Sequence, residues 1–299
     1  MSERILLTGK NGQLGFELQR SLASLGEVVA VGSAECDLSD AEAIRTTVRS
    51  VRPRIIVNAA AYTAVDKAES EVERAMAVNA TAPGVLGEEA ARIGAWVIHY
   101  STDYVFDGKS PTPYVESDPV APLSVYGRSK LEGERALQAA LDNHLILRTS
   151  WVLGQHGSNF AKTMLRLAAE REHLKVVADQ WGTPTSAALL ADLTAQLIRQ
   201  AYMEGEVNFP FGLYHLTAAG DTNWCDYARF VVAAAQIAGK QLRLGPADIE
   251  PITTAEYPLP AQRPANSRLN TEKFRTTFGL PLPHWEDGVR DVLIKVFAQ

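Results

Sequence analysis

Short apolar runs alternate with stretches of helical spacing through the first half of this chain, and that alternation limits the fold more than any other feature. Residues 5–7, 28–31, 55–57, 96–100 and 145–147 are continuous apolar runs of strand length, as strands buried on both faces require. Between them Leu14, Leu18, Leu22 and Leu25 recur every three or four residues, residues 45–51 stop before Pro53, and residues 69–92 and 126–141 are long enough for helices. A βαβα order needs crossover connections, which lead to a parallel sheet covered on both faces. The expected class is α/β, a doubly wound, Rossmann-like parallel sheet. After Trp151 the alternation loosens. Helices are expected around residues 160–168, 189–198, 224–238, 273–279 and 285–297, strands at 175–177 and 213–216, and irregular chain over the proline-rich 245–264. Asn79, in the middle of a helical run, reads as a solvated or locally bonded residue.

The first strand runs straight into Thr8-Gly9-Lys10-Asn11-Gly12-Gln13-Leu14-Gly15, where the helical spacing begins. Glycines between a strand and a helix allow a tight turn, close backbone approach to a pyrophosphate, and helix–strand packing. The helix start adds free N–H groups and the positive end of a dipole. The second strand ends on Gly32-Ser33-Ala34, with neither the acid that binds a ribose 2′-OH nor the arginine that takes a 2′-phosphate. NADPH and NADH therefore both stay open. Asp37-Leu38 either faces an adenine or caps a turn. Residues 1–152 are expected to form a dinucleotide-binding domain, rejoined by parts of 175–217, and residues 153–299 mostly a substrate-binding lobe.

Of the nine tyrosines only Tyr126 has a lysine four positions on, Lys130. Residues so spaced share one helix face. An ammonium beside a phenol favours the phenolate and lowers its pKa, which suits acid–base catalysis. Thr102, expected at a strand end, could hydrogen-bond the same substrate oxygen.

A net charge of -6 with no lysine-rich stretch argues against nucleic acid as a partner. No apolar run reaches the ~18 residues of a membrane span, and the first residues lack the apolar core of a secretion signal. Two cysteines, Cys36 and Cys225, cannot make a disulfide framework, so a reducing cytoplasm is expected.

The glycine turn, Asn58-Ala59-Ala60-Ala61, Thr102 and Tyr126-x-x-x-Lys130 together resemble the extended short-chain dehydrogenases/reductases. Further blocks narrow this to the dTDP-4-dehydrorhamnose reductase family: residues 9–15, 57–69, 101–108, 148–152, 159–162, 182–185 and 266–270. The resemblance implies reduction of a 4-keto sugar nucleotide by NADPH or NADH, in nucleotide-sugar synthesis for surface polysaccharide. It implies that Tyr126, Lys130 and Thr102 are catalytic. Gly9, Gly12, Gln13, Leu14, Gly15, Asp37, Leu38, Ala61, Tyr62, Thr63, Tyr126 and Lys130 would bind cofactor, and Thr102, Asp103 and Trp151 the sugar nucleotide. Some family members form magnesium-bridged dimers through clustered carboxylates. Glu17 and Asp192 match that pattern, but Ala188 stands where another carboxylate is expected, so the expectation is an enzyme without a metal, monomeric or homodimeric. The alternatives are another sugar-nucleotide epimerase or dehydratase, or a non-catalytic regulatory subunit on the same fold.

Overall fold

The structure, a computed structural model, describes residues 3–298. Chain order carries β1 (Arg4–Thr8) through α1 (Gln13–Leu22) to β2 (Glu27–Val31), and through α2 (Ala41–Val51) to β3 (Ile55–Asn58). Helix α3 (Ala82–Ile93) leads to β4 (Trp96–Thr102), and α4 (Val125–Ala140) to β5 (His144–Thr149). Then come α5 (Phe160–Glu170), α6 (Ala187–Glu204), β6 (Gly212–His215), α7 (Trp224–Ile237), α8 (Glu272–Phe278) and α9 (Trp285–Phe297). The six strands form one parallel sheet in the order β6-β5-β4-β3-β1-β2.

The two-residue period of the strands divides the core. Ile5, Leu7, Ile55, Val57, Trp96 and Ile98 face α1 and α6, while Leu6, Ile56, Val97 and Ile146 face α2, α3 and α4. Phe274 and Phe278 of α8 join the first of these layers. A separate apolar cluster, including Met164, Leu174, Val176, Tyr227, Val231, Ile249 and Val289, holds the second lobe.

One expectation is corrected and one is refined. Residues 249–252, read as irregular, form a strand that pairs in parallel with Leu174–Val177. Pro251 disguised it, and a proline is tolerated there because the two-stranded sheet leaves its donor side unpaired. The run 69–92 is largely helical, as expected, but its helix from Val72 to Ile93 carries a π-helical segment, Ala77–Thr81, just ahead of Pro83. The shifted bonding of that segment falls next to the one residue with no N–H to offer.

Candidate active site

Strand order reverses between β1 and β3, where ligands of open α/β sheets bind outside the carboxyl ends. A cleft of about 570 Å³ lies there. Gly9, at φ +77, turns the chain, and a Cβ on it would stand 2.7 Å from the backbone of Ala60. Gly15 is buried, and a Cβ there would meet the Gly9 carbonyl at 2.0 Å, so it is the packing glycine and lines no part of the cleft. Gly12 faces open space except for the Gly9 carbonyl at 3.4 Å. No side chain caps α1, which leaves its first-turn N–H groups aimed at the cleft. An uncapped helix start beside a bare glycine fits a pyrophosphate.

The cleft also takes in Gln13, Leu14, Asp37, Leu38, Ala61, Tyr62, Thr63, Tyr126 and Lys130. Asp37 meets both of its readings: it lines the cleft, and its carboxylate caps Ser39 by accepting from N–H and hydroxyl at 2.9 and 2.8 Å. Gln13 is occupied, its amide oxygen accepting from Gly154 N–H and Asn159 at 2.8 and 3.0 Å, which ties the glycine turn to the second lobe. An acid unnoticed in the sequence reaches the end of β2. Glu35 folds back to accept from Gly32 N–H and pairs with Lys10 at 2.7 Å. The three-residue offset hid it.

Tyr126 and Lys130 lie on α4, which Ser124 starts by accepting from Gly127 N–H. Both line the cleft, but they do not act on each other as expected. Burial pushes the Tyr126 phenol up to about 12, opposed in part by the nearby Thr102 hydroxyl. The Lys130 ammonium points elsewhere, donating to the Tyr100 carbonyl at 2.6 Å and lying 3.2 Å from His99 Nε2. Burial brings it down to about 8, and Glu134 partly offsets that. Glu134 is itself held by both nitrogens of Arg148 at 2.9 and 2.7 Å. In the resting cleft the phenol is therefore protonated, the form a proton donor needs.

Thr102, Asp103 and Trp151 stand outside the cleft walls. Thr102 ends β4 and donates to Asp103 at 3.1 Å. Burial raises the Asp103 carboxyl to about 7, against hydrogen bonds from Ser267 and Thr102, and its second oxygen has no partner. Trp151 adopts φ +46, uncommon for a bulky residue, and its indole stacks on Trp224 at 3.6 Å. A Cβ on Gly182 would stand 2.5 Å from that indole.

Asn79 corrects a reading as well. It is buried in the π-helical segment, accepts from Tyr62 N–H at 2.8 Å, and donates to the Tyr62 carbonyl and Ser129 at 3.0 Å each. It thereby joins the wall of the cleft to α4. His99 was also missed as a neighbour of Lys130, with Asn58 behind it, because nothing local in the sequence sets them together. The carboxylates Glu17 and Asp192 lie near Arg20, which binds Asp192 at 2.9 Å; Ser21 adds a bond at 2.6 Å. Among the described residues no cluster of three or more His, Cys, Asp or Glu could hold a metal ion, and no helix is long and apolar enough to cross a membrane.

Known proteins are similar to this chain over nearly its full length. The dTDP-4-dehydrorhamnose reductase of Escherichia coli (strain K12) is 56% identical, with 98% of each chain covered. That of Salmonella typhimurium (strain LT2) is 54% identical over the same shares. A crystal structure of the Bacillus anthracis str. Ames dTDP-4-dehydrorhamnose reductase in complex with NADP superposes with a TM-score of 0.89 at 34% identity, covering 99% of this chain and 100% of that one. The UDP-glucose 4-epimerase of Thermus thermophilus, at 20% identity and a TM-score of 0.77, shares the fold. The model of the RmlD substrate binding domain matches residues 3–297, and the chain belongs to that family.

Proposed function

We propose that this chain reduces the C4 keto group of dTDP-4-dehydro-L-rhamnose to give dTDP-L-rhamnose, using NADPH or NADH. The observation that carries the reading is a phenol, Tyr126, on the wall of a cleft whose other end is a bare glycine turn under an uncapped helix. When bound, the reduced nicotinamide supplies the hydride to the carbonyl carbon. The chain does the rest. Gly9 and Gly12 admit the pyrophosphate and the start of α1 holds it. Tyr126 donates its proton to the oxygen that becomes an alkoxide, and Thr102 orients the phenol. Lys130, one turn along α4, donates to the nicotinamide ribose. Asp103 and Trp151 border the sugar nucleotide. Residues 1–152, with the returning β6, serve as the dinucleotide domain, and most of 153–299 as the substrate lobe. Two buried free cysteines suit a reducing cytoplasm.

An epimerase or dehydratase on this scaffold would return its nucleotide unchanged, and a dehydratase would need an acidic pair where only Asp103 stands. Net oxidation of reduced cofactor by a panel of 4-keto sugar nucleotides tests the reading. Tyr126→Phe should cut turnover by ~10²–10⁴-fold and leave cofactor affinity near wild type. A variant at near-normal rate would remove Tyr126 from the role of proton donor.

A further inference from the structure

Lys130 lies at one end of a buried row of side chains that leads back to the glycine turn. Its Nζ is 3.2 Å from His99 Nε2, His99 Nδ1 is 3.0 Å from Asn58 Nδ2, and Asn58 Oδ1 accepts from the Thr8 hydroxyl at 2.6 Å. All four residues are at most 2% exposed. A neutral imidazole has one N–H and one lone pair. Burial and the nearby Lys130 hold the His99 pKa well below its ordinary value, so the ring is neutral. If Lys130 is an ammonium, Nε2 must accept from it, and the ring proton sits on Nδ1. Nδ1 then has to donate, so Asn58 must turn its oxygen to His99 and its NH₂ to Thr8. The amide as placed, with Nδ2 toward His99 and Oδ1 toward Thr8, would put an N–H against Nδ1, move the ring proton to Nε2, and require a neutral amine at Lys130. An amide oxygen and nitrogen can be exchanged without moving the heavy atoms, so the two settings have the same shape and opposite hydrogen-bond direction.

We propose that His99 is a positioning residue for the proton-donor pair. With the Asn58 amide exchanged end for end, the ring is held as the Nδ1–H tautomer, presents its Nε2 lone pair to Lys130 and keeps that group an ammonium. The inference deepens the reading given under Proposed function and rests on it for the importance of a charged Lys130. The titratable groups facing Lys130 are His99 from β4, and Tyr126 and Glu134 one turn either way along α4. Glu134 is already matched by Arg148 of β5. The remaining acceptor, the Tyr100 carbonyl, cannot titrate.

The test reads the Lys130 charge directly, without substrate or cofactor. Full-length protein carrying carbon-13 lysine is titrated by NMR, and the Lys130 signal is identified by its loss in Lys130→Met. His99→Leu removes an acceptor from a buried ammonium, so the midpoint should fall by about one pH unit. His99→Gln returns an amide oxygen and should recover most of that fall. Asn58→Asp can only accept from Nδ1–H and adds a negative charge behind the ring, so the midpoint should rise by about one unit. A role limited to packing would move the two positions in the same direction or not at all. Either result overturns the inference, as does a His99→Gln midpoint equal to that of His99→Leu. If His99→Leu fails to fold, the sign of the Asn58→Asp shift decides alone. Failure to oxidise cofactor against any 4-keto sugar nucleotide would sink the activity assignment and leave this titration untouched.

Discussion

Gly15→Ala separates packing from binding in the glycine turn. The added methyl would start 2.0 Å from the Gly9 carbonyl oxygen, a backbone atom with no rotamer to escape into. Real Cβ contacts do not fall below 3.0 Å, so the turn and the helix must part by about 1 Å, a displacement that can cost ~10²-fold in a positioned site. The same substitution favours the helix by ~1 kcal/mol, because Ala is the better helix former. Overpacking typically costs about 1–3 kcal/mol, so net fold stability should fall by roughly 0–2 kcal/mol while cofactor affinity falls by about 10²-fold, or ~2.7 kcal/mol. Gly12→Ala is the control. Gly12 sits at φ -79, and its Cβ would meet only the Gly9 carbonyl at 3.4 Å, an ordinary contact. That variant should fold as the wild type and lose affinity only because a methyl stands where the pyrophosphate approaches. Titration of reduced-cofactor fluorescence, paired with thermal unfolding, measures both quantities. A Gly15→Ala affinity within about threefold of wild type would refute the reasoning, since even a 1.4 kcal/mol loss is tenfold.

Gly182→Ala would press a methyl onto an indole that Trp224 stops from retreating. KM for the sugar nucleotide should rise by about tenfold, roughly 1.4 kcal/mol, with cofactor affinity unchanged; an unaltered KM would take Trp151 out of the substrate site. Glu89, 1% exposed and held foremost by Arg49, then Arg45 and Arg92, has its carboxyl lowered to about 2. A depressed carboxyl stabilises the fold above its ordinary pKa, and the contribution is lost as pH falls from roughly 5 toward 2. Because Arg49 and Arg92 are more than half exposed, screening reduces the effect, and Glu89→Gln should cost ~1–2 kcal/mol at neutral pH. Denaturant unfolding of that variant should show a flatter acid limb than the wild type.

What could be read from the chain was whatever has a local period or a local turn. The strand–glycine–helix unit at residues 5–15 is local, and so is the four-residue spacing of Tyr126 and Lys130. The partners of Lys130 are not. His99 and Tyr100 lie thirty positions back, and the pairing of β4 with β3, together with its packing on α4, brings them there. The expected direction of the Tyr126 shift failed for a related reason. Helical spacing puts two side chains on one face but does not say which acceptor a flexible lysine chooses, and a carbonyl buried next to it outbid the phenol. Trp151 reads as a contact residue from its motif, but its left-handed backbone and the seating of its indole against Gly182 and Trp224 have no local signal. Residues 249–252 escaped because a proline is a sound argument against a central strand and a poor one against an edge.

The π-helical segment Ala77–Thr81 amounts to one surplus residue threaded into a helix. Its value is rotational: about 100° of extra winding swings Asn79 inward, and Gly133, where a Cβ would strike the Asn79 carbonyl at 2.0 Å, lets α4 close over it. Deleting a single residue between Met76 and Ala82 would regularise the helix, face Asn79 toward another side, and unlatch the helix that bears Tyr126 from the chain around Tyr62. A sequence in this family that shortens this segment by one would thus be expected to carry some other latch between those two walls.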